Sequence, residues 1–203
     1  MITSASLRVC QRDSRAAKRL HTAHSITVCA QELALEHGLD GFTMEDLAAR
    51  AGVSRRTLFN YFPGKDDAIL GGPPVLDDGL LAEFAGGGPH GDLVEDVAEI
   101  VRFILRESPD TRVDVARGRE VMLTHPRLIA LAHQRLQETV EACMPYVETR
   151  EGAGFSRTRF DVAITLVLAC FHLAMDRYLQ GDPDADLATL FTESLDTARD
   201  LLT

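Results

Sequence analysis

The stretch that most constrains this chain runs from Phe42 to Lys65 and reads FTMEDLAARAGVSRRTLFNYFPGK. Thr43 and Asp46 have the spacing of a Ser/Thr-x-x-acid start signal, so we expect Thr43 to cap a short helix. Gly52 suits the left-handed position that ends a helix, and Ser54 is placed to cap a second helix two residues later. Two helices joined so tightly must cross steeply, and the stretch therefore predicts a helix-turn-helix.

The second helix of this motif is predicted to have one buried face and one free face. Leu58 and Phe62 are expected to point to the core together with Val53. The opposite face is formed by residues at i,i+4 spacing, namely Arg55, Arg56, Phe59 and Asn60. Arginine can bind guanine and asparagine can bind adenine, so this face suits base edges in DNA. A solvated polar face would explain the same residues taken singly.

Lys65 favours the DNA-binding interpretation. It is predicted to lie at the start of the next helix, where a cation opposes the helix dipole and an acid would be preferred. A phosphate at that helix end would accept hydrogen bonds from the lysine and from free backbone N–H groups. Without a bound phosphate, Asp66 and Asp67 would interact favourably with the positive end of the helix dipole.

The run from Ile26 through Lys65 resembles the DNA-binding domain of the TetR (tetracycline-repressor) family. The resemblance rests on Ile26, Cys29-Ala30 and Leu33 in helix one, the break at Gly38, Thr43, and then AGVSRRTLFNYFPGK. It implies a DNA-binding transcriptional regulator, usually a repressor, that binds a palindromic operator as a homodimer and is released by a small-molecule effector. The alternative is a constitutive regulator without an effector.

By position, the resemblance assigns phosphate contacts and groove contacts within the motif. Phe59 departs from the family pattern, which often has tyrosine there, so an apolar contact with a thymine methyl is expected in place of a hydroxyl contact. Thr43, Tyr61 and Lys65 are the expected phosphate contacts. The whole predicted DNA-binding set is Thr43, Met44, Ser54, Arg55, Arg56, Thr57, Phe59, Asn60, Tyr61 and Lys65.

Composition and charge agree with a helical DNA-binding protein. The chain has 203 residues, no tryptophan and 45% hydrophobic residues, which is enough for a real core. Its net charge of −10 looks wrong for a DNA binder. Residues 1–65, however, hold nine Lys/Arg and six Asp/Glu, a net +3, and the remainder carries −13. The acidic part is expected to face away from DNA.

The predicted fold is all-α with about nine helices, an N-terminal three-helix DNA-binding domain and a helical effector and dimerisation domain. Four divisions are predicted: a basic N-terminal arm (1–17), the DNA-binding domain (18–70), a Gly/Pro-rich linker with one short amphipathic turn (71–91), and the effector and dimerisation domain (92–203). The arm is either a disordered tail or a minor-groove contact. Helix one is predicted over about 18–37, and the later helices over 92–107, 110–124, 126–150, 156–180 and 186–202. Asp110 is the expected cap of the helix over 110–124.

The two C-terminal helices are predicted to form the homodimer interface. The run from Val162 to Met175 is apolar nearly all round, so it is either a central buried helix or shared between its own core and a partner chain. The TetR resemblance favours the second. The run is too short to span a bilayer, and we expect no membrane contact.

The effector is expected to be apolar, in a pocket of the helical body. Eight residues combine an apolar helical context with a polar or adaptable group, although each singly is explained better by an ordinary core or interface role. They are Met122, His125, His133, Met144, Tyr146, Phe171, His172 and Met175. Arg117 or Arg119 is expected either to pair with an acid or to meet a ligand anion.

Other function classes find little support in the sequence. No HExxH, GxSxG, P-loop or GxGxxG pattern appears, so an enzyme that borrowed the DNA-binding head is only a distant alternative. A metal sensor using His21, His24 or His90 lacks diagnostic spacing, and no cofactor is expected. Cysteines Cys10, Cys29, Cys143 and Cys170 are predicted to be reduced thiols in a cytoplasmic protein without a signal peptide.

Overall fold

The computed structural model describes the backbone of residues 4–74, 76–182 and 184–202, with side chains between residues 17 and 201. Within these ranges the chain forms ten α-helices and no β-strand, which confirms the all-α prediction. The helices are α1 (Ser4–His37), α2 (Met44–Arg50), α3 (Arg55–Tyr61), α4 (Lys65–Leu70), α5 (Asp78–Ala85), α6 (Leu93–Glu107), α7 (Arg112–Thr124), α8 (Pro126–Glu151), α9 (Arg157–Gln180) and α10 (Leu187–Leu202), with a 3-10 helix at Gly152–Gly154.

The helices form two compact units. The first contains the described residues up to Pro73 together with Pro109–Gln134, and the second contains Pro74–Ser108 and the described residues from Arg135 onward. The first unit therefore includes α7 and the beginning of α8 in addition to α1 to α4. The functional division of the chain near residue 70 stays a prediction.

The core of the first unit is built on the inner face of α1. Ile26, Ala30 and Leu33 recur at helical spacing and are buried against Leu47 of α2 and Leu58 of α3. Fully burying a leucine or isoleucine side chain contributes about 1.5–3 kcal/mol. This cluster fixes the positions of α2 and α3.

Helix α7 packs closely against α1 at a glycine. A Cβ atom at Gly118 would lie 3.3 Å from Nε2 of Gln31, which itself donates to the carbonyl oxygen of Ile69 at 3.0 Å. Val121 of α7 and Leu128 of α8 complete the same buried cluster. These two helices are therefore part of the structure that supports the helix-turn-helix.

The turn from α1 to α2 requires two glycines. Gly38 has φ +74°, which confirms the predicted break. A Cβ atom at Gly41 would lie 2.0 Å from the carbonyl oxygen of His37, so no other residue fits without a shift of the backbone.

Helix α1 begins earlier than the sequence predicts. Its backbone is helical from Ser4, not from about Lys18, so the described part of the predicted basic N-terminal arm belongs to α1. The side chains of Arg8, Arg12 and Arg15 lie outside the described residues. A minor-groove contact by this segment stays a prediction.

The Gly/Pro-rich stretch after α4 interrupts the chain as expected. Gly71, with φ +76°, ends α4 after only six residues. The predicted short turn is α5, which begins at the cap residue Asp77 and buries Leu81 and Phe84. No rigid helix therefore continues from α4 into the second unit.

The second unit has its own apolar cluster, which includes Val97 of α6, Val147 of α8, Val167 of α9 and Phe191 of α10. A buried ion pair supports it: Nη2 of Arg150 donates to Oδ2 of Asp96 at 2.6 Å. Both side chains are almost fully buried, and the other Asp96 oxygen accepts the backbone N–H of His90 at 2.7 Å. The pair fixes the loop before α6 against α8.

Helix α7 has a different cap from the expected one. Thr111, not Asp110, is the cap residue, and it forms a capping box with Asp114. Asp110 instead lies beside α1, with its Oδ1 3.0 Å from Nδ1 of His24. Arg117 pairs with Asp114 at 2.8 Å, which fits the expectation that one arginine of this helix meets an acid.

Helix α9 is longer than the apolar run from Val162 to Met175. Its 24 residues, with a mean hydropathy of 1.5 in the most apolar window, would suffice by length and composition to cross a membrane. The length of the apolar run alone therefore does not exclude that α9 spans a membrane. The core helix of a soluble protein meets the same test, and α9 packs Phe160, Val167 and Ala174 into the cluster of the second unit.

Candidate nucleic-acid interface

Helix α2 begins with the predicted capping box. The Thr43 hydroxyl accepts the backbone N–H of Asp46 at 3.2 Å, and the Asp46 carboxylate accepts the Thr43 backbone N–H at 2.8 Å and hydroxyl at 2.7 Å. Hydrogen bonds from the Thr43 side chain and backbone lower the pKa of Asp46. The carboxylate is therefore charged at neutral pH, and the start of α2 is fixed.

The turn between α2 and α3 is the tight one that the sequence predicts. Gly52 has φ +66°, and the backbone N–H of Val53 donates to the carbonyl oxygen of Ala48 at 3.0 Å. The Ser54 hydroxyl caps α3 by accepting the Thr57 N–H at 3.0 Å. Only four residues, 51–54, separate the two helices.

Helix α3 has the predicted buried and free faces. Leu58 is fully buried, and Phe62, directly after the helix, is 3% exposed. Arg55, Arg56, Phe59 and Asn60 are all exposed. The helix is therefore held by its apolar side, with two guanidinium groups, a phenyl ring and an amide presented to the surroundings.

Arg55 has partners that the sequence did not reveal. Its Nη1 lies 3.0 Å from Oε1 of Glu45 on α2, and its guanidinium carbon lies 5.5 Å from the centre of the Phe59 ring. Both members of the ion pair are more than half exposed, so the pair adds little to stability. It does orient Arg55 along the free face of α3.

Lys65 lies at the start of α4, as predicted, but its ammonium group is engaged within the protein. Nζ donates to the carbonyl oxygens of Leu39 at 2.6 Å and Phe42 at 2.8 Å, and it lies 4.9 Å from the centre of the Phe42 ring. An ammonium group has three donors. One donor is left for a phosphate, and the other two join α4 to the turn before α2.

Several other described cations of the first unit are paired with acids. Arg50 binds Glu36 at 2.5 Å, and this hydrogen bond raises the pKa of Arg50 further above neutrality. Arg127 lies 3.1 Å from Asp66. Lys18, Arg19 and Arg56 are exposed and have no acidic partner among the described side chains.

Arg19 is a second feature that sequence reasoning missed. Its guanidinium carbon lies 5.2 Å from the centre of the Tyr61 ring, at the end of α3. The two residues are far apart in sequence, and no spacing rule connects them. Tyr61 is half-buried, and its ring is also 6.4 Å from that of Phe62.

The structure divides the predicted effector residues between the two units. Met122, His125 and His133 belong to the first unit, and the other five belong to the second. Met144 is buried in the apolar cluster of the second unit, with Tyr146 and Phe171 packed against it. His133 and His172 are exposed in the single chain. A common pocket for all eight stays a prediction.

The described part of the chain contains neither a candidate metal site nor a cysteine in an activating environment. No group of three or more His, Cys, Asp or Glu side chains described there is arranged to hold a metal ion. Cys29, Cys143 and Cys170 are free, and burial raises the pKa of each thiol, which disfavours the reactive thiolate. Cys10 lies outside the described side chains.

Comparison with known proteins agrees with this geometry. Residues 26–69, which contain the whole of α2 and α3, match the family described as bacterial regulatory proteins, tetR family. The chain thus carries a DNA-binding domain of the TetR type. It is therefore a DNA-binding transcriptional regulator, and the prediction that it is not an enzyme is confirmed, because relatives of this kind are regulators.

Two curated relatives extend the match. The chain is 28% identical over 185 residues to the HTH-type transcriptional regulator TcmR of Streptomyces glaucescens, covering 84% of this chain and 79% of TcmR. It is 41% identical over 49 residues to the candidate mycofactocin biosynthesis transcriptional regulator MftR of Mycobacterium tuberculosis, covering 24% of this chain and 25% of MftR.

A solved structure of a candidate TetR-family transcriptional regulator from Mesorhizobium loti is also similar to this chain. It covers 91% of this chain and 96% of its own, with 16% identity and a TM-score of 0.37.

Proposed function

We propose that this regulator is a homodimeric repressor that binds a palindromic DNA operator through α2 and α3 and is released by a small, largely apolar effector. The observation that supports the DNA contact is the free face of α3. Arg55, Arg56 and Asn60 are exposed on a helix whose opposite face is anchored by the fully buried Leu58. Such a face can enter a major groove without disturbing the core.

The proposed contacts follow the chemistry of each side chain. Arg55, Arg56 and Asn60 read base edges, and Phe59 packs against a thymine methyl. Thr43, Tyr61 and the remaining donor of Lys65 bind phosphates, which fixes the register on the duplex. The set is completed by Met44, Ser54 and Thr57.

The dimer is proposed to form through α9 and α10. Val162 is 62% exposed and Leu173 is 52% exposed in the single chain. Thr165, Ala169 and His172 are exposed between them, at the spacing of one helix face. A helix face that exposes Val162, Ala169 and Leu173 in this way is typical of a helix that packs against a partner. Two-fold symmetry would place the two recognition helices about one DNA turn apart.

The effector is proposed to bind in the second unit, where Met144, Tyr146 and Phe171 lie in one apolar cluster. His172 and Met175 follow on the same helix as Phe171, whereas Met122, His125 and His133 belong to the first unit and are not part of this proposed site. Effector binding would favour a dimer geometry in which the recognition helices no longer match adjacent major grooves. The free energy of DNA binding becomes less favourable by at most the difference between the effector-binding free energies of the two geometries.

The proposed location is the cytoplasm, where the DNA target lies. The free thiols of Cys29, Cys143 and Cys170 suit that reducing environment.

The test of DNA recognition uses duplexes enriched from a random library by the full chain, mapped by footprinting. Arg55→Ala should weaken binding to the enriched site by about 1–3 kcal/mol and relax the preference at one base pair. Arg106→Ala is the control, because Arg106 on α6 is also an exposed arginine paired with an acid, with a side chain that is 51% exposed against 67% for Arg55. No retention of any duplex at low salt, or equal losses by Arg55→Ala on enriched and random DNA, would refute the assignment.

The test of assembly is light scattering at micromolar concentration. The full chain should be a dimer, and Leu173→Asp should shift it toward monomer. Leu123→Asp, at an exposed leucine of α7, should leave the dimer intact. A monomeric wild-type chain would contradict the proposal.

The test of effector release is a thermal-shift screen with apolar, aromatic and acyl-chain compounds. A compound that binds the folded dimer raises Tm by mass action, and it should also release the enriched duplex. If none of these compounds raises Tm, the constitutive regulator without an effector becomes the better description.

A further inference from the structure

Arg19 and Tyr61 lie together at the end of the recognition helix. We propose that they form a phosphate clamp, in which the Tyr61 ring holds the Arg19 guanidinium against the DNA backbone beside the groove that α3 enters. This inference rests on the proposed DNA-binding function. It adds a residue of α1 to an interface otherwise built from α2, α3 and the start of α4.

The position of the pair along α3 supports the clamp. Helix α3 starts at Arg55 and ends at Tyr61. At a rise of 1.5 Å per residue, Tyr61 lies about 9 Å from Arg55 along the helix axis. The major groove is about 12 Å wide and is bordered by phosphates. A side chain at the far end of a groove-bound helix therefore meets the backbone, whereas the residues before it meet base edges.

The charges of the surrounding residues also support it. Arg50 is engaged by Glu36, Arg55 by Glu45, and Lys65 by two carbonyl oxygens. Arg19 has no acidic partner among the described side chains, and its guanidinium carbon lies 5.2 Å from the centre of the Tyr61 ring. A phosphate can therefore bind Arg19 without breaking an ion pair.

The chemistry of the pair suits a phosphate. A guanidinium group that lies on an aromatic ring keeps its N–H donors free at its edge, and the ring reduces the freedom of a long side chain before binding. The Tyr61 hydroxyl makes no hydrogen bond to another described residue and is a further donor. Two such donors close together can bind neighbouring oxygens of one phosphate.

The experiment measures binding of a mixed-sequence duplex by the full chain across a range of salt concentrations. Phosphate contacts do not depend on sequence, so no operator is needed. Arg19→Gln should reduce the slope of log K against log salt by about 0.9 for each DNA-binding domain that contacts the duplex. If the affinities at 1 M salt are equal, this change weakens binding at 0.1 M salt about eightfold per domain. Arg19→Lys should restore the slope, because it restores the charge.

The matched control is Lys18→Gln, which removes the same charge from the adjacent exposed residue. If the clamp is real, Lys18→Gln changes the slope much less than Arg19→Gln does. If the two variants lose the same slope, the effect is one of net charge, and the clamp is wrong.

A double-mutant cycle tests the role of the ring. Tyr61→Leu should weaken binding in the wild-type background and have little further effect in Arg19→Gln, because the ring acts through the guanidinium. Fully additive losses would overturn the coupling. A wild-type chain that binds no duplex at any salt concentration would instead refute the proposed function itself, so the two failures are distinguishable.

Discussion

Replacing Lys65 by methionine is expected to destabilise the helix-turn-helix by about 2–3 kcal/mol. The ammonium group donates to two carbonyl oxygens, of Leu39 and Phe42. Hydrogen bonds from a charged donor contribute about 1.5–3 kcal/mol each. Both bonds are only partly buried, so water replaces part of what is lost, and the sum is reduced accordingly. Methionine keeps an unbranched side chain against the Phe42 ring.

The assay is urea unfolding followed by far-UV circular dichroism at one fixed protein concentration. With a denaturant slope of about 1–3 kcal/mol per molar urea, the expected loss shifts the midpoint of the affected transition by roughly 0.7–3 M. Lys18→Met is the control, because Lys18 is exposed, and it should change the unfolding free energy by no more than about 0.5 kcal/mol.

Hydrogen exchange locates the effect of the Lys65 substitution. The amides of α2 should lose protection in Lys65→Met, because the lost bonds hold the turn that precedes this helix. If Lys65→Met and Lys18→Met are equally stable and α2 keeps its protection, the structural role assigned to Lys65 is refuted.

Three further predictions concern charged groups. Arg150→Met should cost about 3–5 kcal/mol in urea unfolding, because it leaves a buried carboxylate without its partner. Arg157→Met, which breaks only exposed ion pairs, should change the unfolding free energy much less. Burial alone would raise the pKa of Asp114, but its hydrogen bonds outweigh this effect and lower the pKa from 3.8 to about 2. Its stabilisation is therefore present above pH 4 and is lost as pH falls through 2, and after allowance for solvent screening the loss is about 1–2 kcal/mol. Glu45→Gln should strengthen binding to random duplexes, because it removes a negative charge from the interface, and should lower the ratio of specific to random affinity, because Arg55 loses its orienting partner.

Each of these has a contradicting result. Equal destabilisation by the two arginine variants would show that burial of the ion pair is unimportant. An acid unfolding curve that is unchanged in Asp114→Asn, relative to its own value at pH 7, would exclude the carboxylate as the titrating group. A Glu45→Gln variant with undiminished specificity would show that Arg55 needs no orientation.

Local signals made the centre of the fold predictable. Thr43, Gly52 and Ser54 specify caps and a turn through contacts within four residues, and the structure has each where the spacing places it. The same kind of signal was available for α7, where Thr111 and Asp114 repeat the Thr-x-x-Asp pattern of α2. Choosing Asp110 as the cap overlooked that repeat.

The contacts that the sequence did not predict join residues distant in the chain. Lys65 binds carbonyls 23 and 26 residues away, and Arg19 meets a ring that comes from a different helix. Backbone carbonyls carry no sequence signature, so an exposed lysine at a helix start looks free until the fold is known. The early start of α1 was missed because the segment before Lys18 has no apolar periodicity matched to the core.

The capping box of α2 has a consequence for association with DNA. The Asp46 carboxylate already occupies the N–H and hydroxyl of Thr43, the same two donors that an incoming phosphate would use. If Thr43 binds a phosphate as proposed, the Asp46 carboxylate of the free protein competes with the nucleic acid, and binding of the phosphate exchanges one negative group for another. Such an exchange keeps the helix start satisfied in both states, and it makes the strength of this contact depend on how readily Asp46 swings aside.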